Sequence, residues 1–294
     1  MIKSKPKYLF IGLGVMGYPM AGHLSKLNSI DLYIYNRSTN ITKKWLSKFN
    51  SHEYLEDKFE KVKFDGLILC LKDDASIINV LSKNKFIELI KPNGFILDHS
   101  TTSLDLINRV SKIDIYKSKN LTYFDAPLSG GEIGAINGTL TIMYGGPSRK
   151  INILKNIMNA YSNSITRVGP SGHGQLTKMV NQLCIAGLLQ GLSEAIALGK
   201  SSELNMNKVF NAISGGAAQS WQMDNRFKSM VENKFDFGFA VNLMIKDLKI
   251  ALKHANLNNL DLKTTKSVLK NYKTLSKRDF GNLDTSSLIK LFNV

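Results

Sequence analysis

Short apolar runs and helical repeats alternate through the first half of the chain. Residues 8–12 form a run of strand length ending in glycine, and residues 16–27 repeat apolar positions at helical spacing. The same pair recurs at 32–35 and 39–49. Further strand-like runs stand at 66–71, 94–98, 121–125 and 139–144, with helical patterns at 74–81 and 104–112. Strand alternating with helix predicts a parallel α/β sheet with helices on both faces.

Past about residue 169 the strand signal disappears. Residues 176–199 form one long pattern, apolar nearly all round, which predicts a buried helix of roughly 36 Å at ~1.5 Å per residue. Helical patterns follow at 205–213, 223–231, 241–255, 262–275 and 285–291. With 294 residues, two cores fit better than one. The expected fold is an N-terminal α/β domain of Rossmann type over residues 1–168, then an all-α C-terminal domain built around the long helix over residues 169–294.

Composition adds little to this picture and excludes some alternatives. Hydrophobic residues make up 43% of the chain, enough for real cores, yet no uninterrupted apolar stretch reaches the ~18 residues of a membrane span. The N-terminal residues lack the apolar region of a signal peptide, so a soluble cytoplasmic protein is expected. Cys70 and Cys184 each lie in an apolar run, which predicts two buried free thiols. The net charge of +16 raises nucleic acid as a partner. However, the lysines are dispersed and no aromatic-interleaved basic tract occurs, so no nucleic-acid partner is expected. The charge instead favours anionic substrates by long-range steering.

Candidate chemistry begins at Gly12-Leu13-Gly14-Val15-Met16-Gly17. This glycine turn follows the first strand and opens the first helix, the context that a dinucleotide pyrophosphate requires. The first glycine makes the turn, the second admits the phosphates, and the third lets helix and strand pack closely. Free N–H groups at the helix start attract the anion. The second strand ends at Asn36-Arg37-Ser38. NAD-selective sites commonly place a carboxylate here to hold the ribose hydroxyls, whereas an arginine can pair with a 2′-phosphate. NADP is therefore expected over NAD, with NAD possible.

Two further segments do not read as packing. Ser129-Gly130-Gly131, at the end of a strand, offers a hydroxyl and open backbone N–H groups that can hold a carboxylate without adding charge. Taken alone, an ordinary glycine turn is the plain alternative. In the long helix, Lys178, Asn181 and Gln182 stand at i, i+3 and i+4, on one face. Three polar groups on a buried helix need partners or a cavity. Desolvation lowers a lysine's pKa and suits it to proton transfer to a carbonyl oxygen. A lysine reaching out from a helix end is the alternative.

Together these segments resemble the β-hydroxyacid dehydrogenase family, which takes in 3-hydroxyisobutyrate dehydrogenases, tartronate semialdehyde reductases and glyoxylate or succinic semialdehyde reductases. The resemblance spans essentially the whole chain. It rests on Gly12-x-Gly14-x-Met16-Gly17-x-Pro19-Met20-Ala21, on Asp125-Ala126-Pro127-Leu128-Ser129-Gly130-Gly131, on Gly172-x-Gly174-x-x-x-Lys178-x-x-Asn181, and on Lys246-Asp247-Leu248. It implies that Lys178 is the general acid in reduction and the base in oxidation. It also implies that Ser129, Gly130 and Gly131 bind the substrate carboxylate, with Asn181 or Gln182 ordering substrate and lysine. Thr101 and Leu71 match positions beside the cofactor, Lys246 matches a lysine that closes over it, and Trp221 borders the substrate cavity. A homodimer or homotetramer is implied as well. Two departures stand out: the loop after Cys70 lacks the family's proline, as does the stretch from Phe235 to Phe239. An NAD-dependent 3-hydroxyisobutyrate dehydrogenase is the alternative within the family. A non-catalytic dinucleotide-binding interaction module is the alternative outside it.

Overall fold

A computed structural model describes residues 4–54, 62–83 and 86–292. Contacts divide the chain into two compact units, Met1–Lys178 and Met179–Val294.

The first unit is a sheet wrapped by helices. In chain order its elements are β1 (Lys7–Ile11), α1 (Gly17–Leu24), β2 (Asp31–Tyr35), α2 (Thr39–Leu46), β3 (His52–Glu53), β4 (Phe64–Leu69), α3 (Asp74–Ile78), β5 (Ile90–Asp98), α4 (Leu104–Ser111) and α5 (Asp114–Ser118). They continue with β6 (Thr122–Asp125), β7 (Leu128–Ser129), α6 (Gly131–Asn137), β8 (Leu140–Gly145), α7 (Ile151–Met158) and β9 (Ser162–Gly169). The strand order begins β3-β2-β1-β4-β5-β6, all parallel, which is the doubly wound dinucleotide order. Its order reverses between β1 and β4, so the turns after these two strands open at the switch point where such sheets bind ligands.

Alternation along the strands fills two cores. Phe10, Ile34, Ile68, Leu97 and Phe124 face one side, with Trp45 and Met20 from the helices. Leu9, Ile11, Tyr33, Leu67, Leu69 and Ile96 face the other, with Ile77 and Leu106.

Beyond β6 the sheet departs from the parallel expectation. Strand β8 pairs antiparallel with β6 and with β7, and parallel with β9. Strand β9 is a polar, half-exposed edge with no apolar run to announce it. The helical pattern at 74–81 also splits: α3 stops at Ile78 and a π-turn follows over Asn79–Lys83.

The second unit is helical. The long helix α8 (His173–Ser201) begins in the first unit and runs through the second. It is followed by α9 (Met206–Ile213), α10 (Trp221–Val231), α11 (Val241–Leu257), α12 (Lys263–Lys277) and a 3-10 turn over Thr285–Leu291. Ala186 and Leu189 of α8 pack on Met244, Leu248, Val268 and Tyr272, while Leu192 and Ile196 pack on Met223, Phe227 and Met230. By length and composition alone, α8 could cross a membrane. It nevertheless buries Gln175, Lys178, Gln182 and Ser193, and it is the spine of both clusters.

Two sequence expectations fail on this helix. It is not buried all round: Val180, Leu188 and Leu198 are exposed. Cys184 is also exposed rather than buried. The neighbouring helices cover one side of α8 and leave the other open. Cys70 is half-buried, and burial together with the Asp98 charge pushes its thiol up to about 12.

Asp284 ties the second unit together. Its buried carboxylate accepts the Phe239 N–H at 2.9 Å, the Ser286 N–H at 3.0 Å and the Ser286 hydroxyl at 2.6 Å, and pairs with Arg226 at 3.2 Å.

Candidate active site

The glycine turn has the shape its sequence predicts. Gly12 has φ +104°, and a Cβ there would run into the Cys70 carbonyl. A Cβ on Gly17 would run into the Gly12 carbonyl. Gly14 differs, because nothing lies within 4 Å of its would-be Cβ. Two of the glycines therefore serve the protein's own packing, and the third opens onto space over the turn. Leu13, Val15 and Met16 complete the turn, with Val15 exposed. These residues fit a dinucleotide pyrophosphate at the start of α1.

The end of β2 is bonded to this turn. The Asn36 carboxamide accepts the Leu13 N–H at 3.0 Å and donates to the Ser38 carbonyl at 3.2 Å. Asn36 thus braces the turn from the end of β2. Arg37 is exposed, and among the described residues its guanidinium has no acidic partner.

The turns after β4, β5 and β6 meet in a buried polar network. The Ser100 hydroxyl accepts the Leu71 N–H at 2.8 Å, and the Ser100 N–H donates to Asp98 at 2.9 Å. Tyr123 donates to the other Asp98 oxygen at 2.5 Å. Burial raises the Asp98 carboxyl to about 6, against the lowering effect of these hydrogen bonds. Beside it, burial pushes the His99 imidazole down to about 4. Its Nδ1 is 2.7 Å from the Ala126 carbonyl and its Nε2 2.8 Å from the Tyr161 hydroxyl. A carbonyl only accepts, so Nδ1 carries the proton and Nε2 takes the tyrosine's.

Asp125 begins the Asp-Ala-Pro-Leu-Ser-Gly-Gly segment and also starts the long helix. Its carboxylate accepts the Gly172 N–H at 2.8 Å and the Gln175 N–H at 2.9 Å. A carboxylate on the free N–H groups of a helix start satisfies both and favours the helix dipole. Gly174 is needed for this approach, since a Cβ there would lie 2.8 Å from the same carboxylate. At the other end of the segment, Ser129 pairs with Thr141 across β7 and β8. Gly130 (φ +123°) and Gly131 (φ +60°) then turn the chain into α6, both exposed.

Lys178 lies on α8 one turn beyond this anchor and is 8% exposed. The next polar residues of its face form a chain of bonds in the second unit. Asn181 donates to Gln182 at 2.9 Å, and Gln182 donates to Asp247 at 2.7 Å. The Lys246 ammonium lies 3.2 Å from the other Asp247 oxygen, an ion-pair contact without aligned hydrogen-bond geometry. Trp221 stands outside this chain of bonds: it is 53% exposed and lies under the Arg226 guanidinium, 5.2 Å from the ring centre.

Gln175, Asp98 and Ser100 belong to this network and were not singled out from the sequence. The only cue was position: Gln175 sits three residues before Lys178, one residue short of the helix expected from 176, which in fact begins at His173.

A doubly wound sheet with a glycine turn at its switch point defines a dinucleotide-binding protein of the NAD(P) class. Known proteins narrow this. Residues 7–169 match the NAD-binding domain of 6-phosphogluconate dehydrogenase, and residues 172–292 match the NAD-binding domain of NADP-dependent 3-hydroxyisobutyrate dehydrogenase. An oxidoreductase of Shewanella frigidimarina is 40% identical over 96% of this chain and 97% of its own. The 2-hydroxy-3-oxopropionate reductase of Escherichia coli is 29% identical over 96% and 95%. A Mycobacterium tuberculosis 3-hydroxyisobutyrate dehydrogenase with L-serine shares the fold, with a TM-score of 0.86 at 22% identity over 99% and 100% of the two chains. The chain belongs to the β-hydroxyacid dehydrogenase family of NAD(P)-dependent enzymes acting on CH–OH groups.

Proposed function

We propose that the chain is an NADP-preferring reductase of a small carboxylate bearing an aldehyde, such as tartronate semialdehyde, glyoxylate or succinic semialdehyde, and the reverse dehydrogenase of the matching hydroxyacid. The observation that carries this reading is Lys178, a lysine 8% exposed on a helix whose start is tied to the strand-end network. Burial strips an ammonium of solvent and favours giving up its proton, and proton delivery to a carbonyl oxygen is the task this family sets a lysine at this position.

In this reading residues 1–168 carry the cofactor and residues 169–294 complete the enzyme, a cytoplasmic homodimer or homotetramer. The turn from Gly12 to Gly17 holds the pyrophosphate, Asn36 and Ser38 border the ribose, and Arg37 pairs with the 2′-phosphate. Leu71, Thr101 and Lys246 border the nicotinamide. The cofactor, when bound, supplies the hydride. Ser129 and the N–H groups of Gly130 and Gly131 hold the substrate carboxylate. Lys178 gives its Nζ proton to the carbonyl oxygen as that oxygen gains charge, and takes it back in oxidation. Asn181 and Gln182 orient substrate and lysine, and Trp221 narrows the substrate cavity.

The test is a screen of glyoxylate, succinic semialdehyde, tartronate semialdehyde and β-hydroxyacids, each with NAD(H) and NADP(H). Turnover with one of the aldehyde acids and NADPH is expected. Lys178→Ala is expected to lower kcat by about 10²- to 10⁴-fold with cofactor affinity largely kept. Full activity in that variant overturns the mechanism.

A further inference from the structure

Gln175 reaches from the start of α8 to the backbone after β5. It is 1% exposed. Its carboxamide Nε2 donates to the Ser100 carbonyl at 2.7 Å, and its Oε1 accepts the Thr102 N–H at 3.1 Å. The orientation of the amide is fixed by chemistry: a backbone carbonyl only accepts and a backbone N–H only donates. The side chain therefore grips the backbone on both sides of Thr101.

Few side chains can do this. The grip needs a donor and an acceptor on one planar, uncharged group at the end of a two-methylene stem. Asparagine is one methylene shorter. A glutamate loses the donor and adds charge to a network that already contains Asp98 and Asp125. The backbone of Gln175 is held as well, through its N–H on Asp125. Ser100 in turn holds the Leu71 N–H. Three strand-end turns and the start of α8 thus converge on one residue.

Gln175 and Lys178 are at i and i+3, so they project from the same side of the helix. Fixing one sets the rotation and height of the other. We infer that Gln175 is a positioning residue that sets Lys178 against Thr101. The inference rests on the reading above, in which Lys178 moves the proton and Thr101 borders the nicotinamide. Transfer of a proton and a hydride in one geometry tolerates little error, and a misplacement of ~1 Å can cost on the order of 10²-fold.

The test uses Gln175→Met, which keeps length and packing and removes both hydrogen bonds, assayed with NADPH and glyoxylate or succinic semialdehyde. We expect kcat to fall about 10- to 100-fold, while the Kd for NADPH and the KM for the aldehyde acid change less than about 3-fold. Single-turnover rates in a Lys178→Ala background separate positioning from general damage. There, Gln175→Met is expected to cost nothing further. An equal fractional loss in both backgrounds overturns the inference, as does an unchanged kcat in the single variant. Full activity of Lys178→Ala overturns the acid–base reading instead, whatever Gln175→Met does. Should Gln175→Met fold poorly, Gln175→Glu gives a second readout. Its carboxyl replaces the lost donor only when protonated, so its kcat should climb toward the wild-type value as pH falls. A pH response parallel to the wild type overturns the inference.

Discussion

A Cβ on Gly17 would collide with the carbonyl oxygen of Gly12, whereas a Cβ on Gly14 would touch nothing within 4 Å. The three glycines of one motif are thus required for different reasons. Gly17→Ala must displace the start of α1 and is expected to lower stability by more than about 3 kcal/mol. Gly14→Ala should leave the thermal midpoint within about 2 °C and weaken NADPH by about 10-fold or more, because its methyl occupies the approach of the phosphates. Thermal melts with a fluorescence titration of NADPH separate the two, and a Gly14→Ala protein that binds normally would sink the assignment of that space.

Arg37 is exposed, with no acidic partner among the described residues. Its removal therefore costs the fold little. Arg37→Ala is expected to weaken NADPH by roughly 10- to 100-fold, the worth of about 1.5–3 kcal/mol for a hydrogen bond to a charged group. NADH binding should stay as it is. Equal losses for both cofactors would show that the arginine does not read the 2′-phosphate.

His99 and Asp98 titrate in opposite senses on folding. His99 falls from 6.5 to about 4, so between these values the unfolded chain binds the extra proton and stability drops as pH falls. Asp98 rises from 3.8 to about 6, so over nearly the same window the folded chain binds the extra proton and stability grows as pH falls. Each shift is worth about 3 kcal/mol, and the two largely cancel. Asp98→Asn should unmask the histidine and lose stability between pH 6.5 and 4. His99→Asn should do the reverse, gaining stability between pH 6 and 4. Urea unfolding of both variants at pH 4.5 and 7 checks this, and two variants with parallel pH responses would rule it out.

Asp284 holds four groups of the second unit and is 1% exposed. Asp284→Ala leaves the Arg226 charge and two backbone N–H groups without it, at an expected cost of about 3–5 kcal/mol. Gly238→Ala should damage the same corner, since its φ is +77° and its methyl would strike the Asp284 carboxylate. Chemical denaturation measures both, and a loss below about 1 kcal/mol for Asp284→Ala would mean that the pair is solvated.

Much of this was legible in the sequence wherever a segment carries its own signal. The runs ending at Gly12, Tyr35 and Leu71 became β1, β2 and β4, and the apolar repeats past residue 169 became helices. Elements defined by their neighbours were not legible. Leu128–Ser129 is a strand only because Thr141 and Ile142 pair with it. Strand β9 has half its residues in water and so lacks a hydrophobic period. The open side of α8 misled in the opposite direction: Val180, Cys184 and Leu188 read as core, yet they are exposed. Gln175 was hidden for a related reason. A glutamine on a helix ordinarily faces solvent, and nothing local says that Ser100 and Thr102 meet it from 75 and 73 residues away.

The Asp125 carboxylate has a consequence for how such chains can be recombined. The two family matches abut between residues 169 and 172, which makes that stretch the obvious seam for a chimera of two relatives. Yet a join there puts Asp125 on one parent and its two N–H partners, Gly172 and Gln175, on the other. It also parts the Gln175 carboxamide from Ser100 and Thr102. The inheritable unit is therefore not the sheet plus its last strand, but the sheet plus the first turn of the helix that follows. Crossovers placed after Lys178 keep that set whole, and those placed before Gly172 exchange half of a matched lock.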